Sequence, residues 1–214
     1  MARVFTLLTV LLALCPRVAG AQDQPPSIGP FVVDLRGVFP MFPDDPKLAA
    51  SRGLTQAQLP GLGLGIDIGA HVYLIRWRAL TIGIGGELIM ARAHRTFDVT
   101  AGVTSPHPVT EHFTSVAPQI SFNFGTGDGW SYLSGGIGRS VWSVVPDEQA
   151  SRLADEDRLP TINYGGGARW FAKKHLAFSV DVRFYAINPG LAELGYPGSP
   201  RTTLIVMGGG ISVK

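Results

Sequence analysis

At 214 residues, a net charge of +2 and 16% charged side chains, the chain favours one domain and offers no strong field for nucleic acid or an anionic substrate. It is 45% hydrophobic with 27 glycines, apolar and glycine-rich for a soluble protein. Its one cysteine, Cys15, falls in the leader described next, which leaves no disulfide framework, thiolate metal site or cysteine nucleophile beyond it.

Met1-Ala2-Arg3 is a short basic start, Val4 to Cys15 an apolar stretch, and Ala19-Gly20-Ala21 a small-residue cleavage site. The sequence therefore predicts a secretory signal peptide over 1–21 and a mature chain starting near Gln22. After it, no run of 18 or more apolar residues exists, so a transmembrane helix is excluded on length. A closed barrel is the other way to cross lipid, because every backbone polar group must be satisfied internally.

Beyond the leader the apolar residues recur with a period of two. Phe31, Val33, Leu35 and Phe39 alternate with Val32, Asp34, Arg36 and Val38. From Gly61 to Leu74 the even positions (Leu62, Leu64, Ile66, Ile68, Ala70, Val72, Leu74) are hydrocarbon and the odd ones (Asp67 and His71 among glycines, with Tyr73) are not. A strand sends successive side chains to opposite faces, so this is a two-faced strand. Leu80, Ile82, Ile84, Leu88 and Met90 then share a face opposite Thr81, Gly83, Gly85, Glu87 and Ala91. Val116, Ile120, Phe122 and Phe124 alternate with Ala117, Gln119, Ser121 and Asn123. Trp130 to Trp142 is strand-like with an ambiguous facing, since both faces mix glycine with larger residues. Ile162, Tyr164, Ala168 and Trp170 alternate with Asn163, Gly165, Gly167 and Arg169. Leu176, Phe178, Val180, Val182 and Phe184 alternate with Ala177, Ser179, Asp181, Arg183 and Tyr185. The last strand places Thr203, Ile205, Met207, Ile211 and Val213 together.

These eight segments are joined by links that alternate long and short: short at 76–79, 125–129 and 172–175, long at 40–60, 94–112, 143–160 and 187–200. Membrane barrels have short periplasmic turns and longer external loops. The reading is an all-β chain, an eight-stranded antiparallel up-and-down transmembrane β-barrel over 22–214, in the cell outer membrane. Trp77, Trp130, Trp170 and Phe171 at the short-turn end, and Phe39, Phe113, Trp142 and Tyr185 at the other, are expected to form interfacial girdles. Pro118 cannot donate a ladder bond, so a bulge is expected there.

Tyr164-Gly165-Gly166-Gly167-Ala168-Arg169-Trp170-Phe171, His175 to Tyr185 and Pro118 to Gly125 carry a resemblance to the small outer-membrane β-barrel superfamily of the OmpA transmembrane domain, OmpX, OmpW and the opacity proteins. It covers the whole mature chain and implies fold more than function. The family usually ends on an aromatic residue that aids recognition by the barrel-assembly machinery, and Val213-Lys214 departs from that.

The second strand face is expected to point into the barrel. It carries Asp34, Arg36, Asp67, His71, Glu87, Arg169, Asp181 and Arg183, with Gln119 and Asn123. An eight-stranded interior is just wide enough for side chains to fill it. An internal ion-pair network is the favoured reading, and a narrow polar pore lined by the same residues the alternative. No complete G-x-G-x-x-G, P-loop or G-x-S-x-G occurs, and neither catalysis nor a cofactor is expected. His107, Glu111 and His112 match no strong metal template and are read as a solvated loop, as is the acidic run Asp155-Glu156-Asp157, for which divalent bridging to lipopolysaccharide is the rival. The expected function is structural or surface-interaction, with a small channel or hydrophobic-solute conduit as its rival. The expected partners are outer-membrane lipid and lipopolysaccharide, the assembly machinery and an external ligand of the loops.

Overall fold

Two-faced strands of this kind must cover one face, and here they do so by closing on themselves. The structure, a computed structural model, describes residues 27–97, 107–193 and 195–214; the expected signal peptide lies outside them. Eight strands form one closed barrel: β1 (Phe31–Met41), β2 (Leu64–Trp77), β3 (Leu80–Arg95), β4 (Val109–Thr126), β5 (Gly129–Pro146), β6 (Leu159–Lys173), β7 (Leu176–Ile187) and β8 (Thr202–Val213). Each is antiparallel to its chain neighbours, and β8 closes on β1, with Val33 opposite Val213 and Met41 opposite Ile205. Two short helices lie in long loops: α1 (Pro46–Ser51) between β1 and β2, and α2 (Leu153–Glu156) between β5 and β6.

The expected facing holds in the clear strands. Leu64, Ile66 and Ile68 are exposed while Asp67, Gly69 and His71 are buried. Ile84 and Met90 point out; Thr81 and Glu87 point in. The exterior of the barrel is thus a belt of Leu, Ile, Val and Phe around a charged middle. That is the arrangement lipid requires, and the reverse of a soluble barrel that hides its apolar residues inside.

The ambiguous strand resolves. Trp130, Tyr132, Ser134, Ser140 and Trp142 face the lumen, and Leu133, Ile137 and Arg139 face out. Inward positions 136 and 138 exclude a side chain because the backbone of β4 comes close. A Cβ on Gly136 would stand 1.9 Å from the Pro118 carbonyl oxygen.

Three expectations change. At Pro118 no bulge forms: Val116 stands opposite Arg139 and Gln119 opposite Gly136 in one unbroken register, and only the pairs at Ala117 and Pro118 are missing. Register shifts occur instead in β2 between Tyr73 and Ile75, and in β6 between Phe171 and Lys173, both beside short turns. Second, Trp130, Phe113, Trp142 and Tyr185 are buried, and Phe171 packs against the same inner cluster as Trp130. They close the lumen, while Trp77, Trp170 and Phe39 do stand on the outer surface. Third, β4 and β5 run 18 residues each, so 109–112 is strand and not loop.

Candidate functional site: a three-layered lumen and its cover

The inward side chains sort into three layers along the barrel axis. The middle layer is ionic. Asp34 accepts from Arg169 at 2.8 and 2.6 Å and from the Ser212 hydroxyl at 2.5 Å. Arg36 lies 2.9 Å from the same carboxylate and donates to Asp67 at 2.5 Å. It also donates to the Tyr132 hydroxyl at 3.0 Å, which donates to Asp181 at 2.6 Å. Arg183 joins Asp181 at 3.1 Å to Glu87 at 2.9 Å, and the Tyr185 hydroxyl donates to Glu87 at 2.5 Å. One connected chain of bonds therefore runs from Arg169 on β6 through β1, β2, β5 and β7 to β3.

Register and small neighbours make this geometry. Arg36 and Asp67 are direct cross-strand partners. Gly69 stands between Asp34 on β1 and Glu87 on β3, which spaces two like charges. Asp181 lies between Gly167 and Gly208, so long side chains from the far wall have room to reach it. All seven acids and guanidiniums are at most 6% exposed. Charges in so dry a place persist because each meets an opposite charge and further hydrogen bonds.

Of the eight residues expected to line the lumen, seven enter this network. His71 is buried among them, but neither ring nitrogen has a hydrogen-bond partner. Gln119 donates to Asn163 at 3.3 Å, and Asn123 to the Thr81 carbonyl at 3.1 Å, as separate contacts. Tyr132, Tyr185, Ser134 and Ser212 belong to the network and were not expected. Tyr185 and Ser212 alternate on the inward faces of β7 and β8, which was the available signal.

The layer toward the long loops is apolar. Ile89, Val109, Phe113, Val144, Leu204 and Val206 pack there with Trp142 and the ring of Tyr185. Phe113 meets Tyr185 edge-on at 5.3 Å and Trp142 at 6.4 Å. The loop after β1 completes this layer. Asp45 caps α1 by accepting from the Lys47 N–H, and Pro46 opens the helix where a missing N–H costs nothing. The helix then turns Leu48 and Ala49 inward beside Phe42 and Leu59, so the loop covers the mouth.

Charges latch that cover. Arg52, at the end of α1, lies 3.3 Å from Asp155 and donates to the Trp142 carbonyl at 2.9 Å. Burial pulls the Arg52 guanidinium below its ordinary value, and Asp155 works against that shift. Asp155 also accepts from the Val144 and Arg152 N–H groups. Arg152 lies over the Tyr196 ring at 3.7 Å, and Glu193 accepts from the Ala154 N–H at 2.7 Å. Three long loops thus form one knitted dome.

This corrects two expectations. Asp155 is not a solvated acid; it is buried at the centre of the latch. Glu111 and His112 sit on opposite faces of β4, so they cannot share a metal: Glu111 is buried and accepts from the Trp142 indole N–H at 2.6 Å, while His112 is exposed. Among the described residues no group of three or more His, Cys, Asp or Glu side chains is placed to hold a metal.

The layer toward the short turns is aromatic. Tyr73 meets Trp130 edge-on at 6.0 Å, and Trp130 stacks on Phe171 at 5.0 Å. Ile28 closes it from the segment before β1, held by Arg76, which donates to the Ile28 carbonyl at 2.6 Å.

No protein-family model matches the sequence, and no curated protein does. Among solved structures the chain is similar to Neisserial surface protein A, at 12% identity over 87% of this chain and 97% of that one, with a TM-score of 0.54. It also aligns with Ail, the attachment invasion locus protein of Yersinia pestis (11% identity, 86% and 95% covered, TM-score 0.48). The outer membrane protein OprG of Pseudomonas aeruginosa aligns at 12% identity (90% and 98% covered, TM-score 0.47). The first of these shares the fold: the closed eight-stranded barrel of the small outer-membrane proteins. With its apolar belt and alternating loops, the barrel is built for the bacterial outer membrane, where such barrels reside.

Proposed function

We propose that this barrel is a closed, non-conducting mount in the outer membrane whose work is done by its external loops on another surface or ligand. The observation that carries this reading is the filled lumen: an aromatic floor, a salt-bridged middle and an apolar upper layer under a latched loop. A path for ions would have to cross all three. The dome also presents apolar side chains outward, with Leu153 76% and Leu191 80% exposed on two adjoining loops. Loops on a rigid scaffold are where binding groups concentrate, and exposed leucines there suit an apolar contact. Outer-membrane lipid, lipopolysaccharide and the assembly machinery are its proposed surroundings, and the external partner is proposed as the ligand of the dome.

The test is planar-bilayer recording on the purified, folded barrel. The expected result is no sustained current, with Arg52→Ala, which frees the cover, also silent because the ionic layer still blocks. A steady ohmic conductance in the unaltered protein would replace this reading with the small-channel one.

A further inference from the structure

The lipid-facing wall has one place where its backbone is not fully paired. In the β4–β5 ladder Pro118 stands opposite Ile137 by register, since Val116 faces Arg139 and Gln119 faces Gly136. On its other side Pro118 keeps its pairing with Gly86 without a break. The missing N–H therefore points at β5, and the Ile137 carbonyl lacks the donor that any other residue would supply. Pro118 lies six residues from Phe124 on the turn side, about 20 Å along the tilted strand and about 15 Å along the barrel axis, which is within the hydrocarbon. A carbonyl without a partner there is costly, because no water reaches it.

A groove of about 1060 Å³ lies over this point. Pro118, Gly135 and Gly136 form its floor, and Ile84, Ile120 and Tyr164 are among its walls. Gly135 makes the hollow. It faces lipid between Ile120 and Tyr164 in one cross-strand row, where a larger side chain would fill the space. The unpaired backbone group at this point is an acceptor.

We propose that this groove seats one hydroxyl-bearing acyl chain, whose hydrocarbon lies along the isoleucine walls and whose hydroxyl donates to the Ile137 carbonyl. A plain acyl chain would fill the hollow and leave the acceptor bare. A second copy of the barrel would bring a wall of branched side chains, which does not fit a hollow one glycine wide as a single extended chain does. A chain with a donor part-way along is the membrane component that satisfies both features.

The experiment is native mass spectrometry of the folded barrel in detergent, titrated separately with 12-hydroxystearate and with stearate. The expected result is one hydroxylated chain bound about tenfold more tightly than the plain one, the value of one added hydrogen bond. Pro118→Ala restores the N–H and closes the ladder, so it should abolish the preference while still accepting either chain. Gly135→Leu fills the hollow and should abolish binding of both. Equal binding of the two chains, or a preference unchanged in Pro118→Ala, overturns the proposal. So does a dimer that forms without added lipid and is lost in Gly135→Leu, which would assign the groove to a second copy.

Discussion

The middle and the mouth of this lumen are filled by opposite means. In the middle, three buried guanidiniums and four buried carboxylates hold one another, and each position is fixed by a directional bond. At the mouth, hydrocarbon and aromatic rings fill the same width, and part of the filling is a loop brought in from outside. The difference teaches where each device fits. Ion pairs between strands specify register, because a one-residue slip would put the charges into lipid. Non-directional packing suits a cover, which must seat without dictating how the strands align.

The comparison breaks most sharply at Asp34. It serves two arginines and Ser212, and Asn in its place keeps the shape but leaves two buried cations short of their counter-charge. Asp34→Asn should cost about 3–5 kcal/mol. Equilibrium unfolding of the folded barrel in detergent micelles measures it, and a loss under about 1 kcal/mol would mean the middle layer is wet.

Leu48→Ala tests the mouth in the same way. The side chain is buried under the cover, and its loss should cost about 2 kcal/mol, near the low end for a buried leucine because a loop can settle into the gap. The expected signature is local: limited proteolysis should cut within 42–63 sooner, while the strands keep their folded electrophoretic mobility. Equal protection in both proteins would mean α1 does not act as a plug.

His71 sharpens the contrast from inside the ionic layer. It is buried, and both ring nitrogens lack partners. A polar group in that state is a cost, so His71→Leu should leave stability unchanged or raise it by about 1 kcal/mol. A loss greater than about 1 kcal/mol in the same unfolding assay would show that His71 has a bound water or a role in the network.

The two regions also differ in how far the sequence disclosed them. Strand count, closure and the charged middle were legible, because Asp34, Arg36, Asp67, Glu87, Asp181 and Arg183 sit in strands whose other face is unbroken hydrocarbon. Parity alone places them inside. The mouth was not legible. Phe113, Trp142 and Tyr185 stand at strand ends, where a lipid-facing girdle and a lumen cap both call for aromatics. In β5 the serines and glycines carry no parity signal to decide between them. Arg52 and Asp155 meet only because two loops fold over the opening, and no local period records a contact between residues so far apart in the chain. The silent ladder gap at Pro118 replaced an expected bulge because losing one N–H does not add a residue to the strand.

The smallest effect lies at the other end of the lumen, where Lys214 does work that neither of the larger layers does. Its ammonium lies 3.8 Å from the centre of the Phe171 ring and donates to the Gly127 carbonyl, so it ties the last strand to the β4–β5 turn. Burial lowers that ammonium from its ordinary value, and Asp128 opposes the shift. The contact is a cation against a π-face at the rim, partly wet, so Lys214→Ala should cost only about 0.5–1 kcal/mol. Lys214→Met separates the two contributions, since it keeps the aliphatic stem over the ring and removes the charge. If it loses as much as Ala, the charge carries the contact; if it loses nothing, the stem does, and the floor is held by packing as the mouth is.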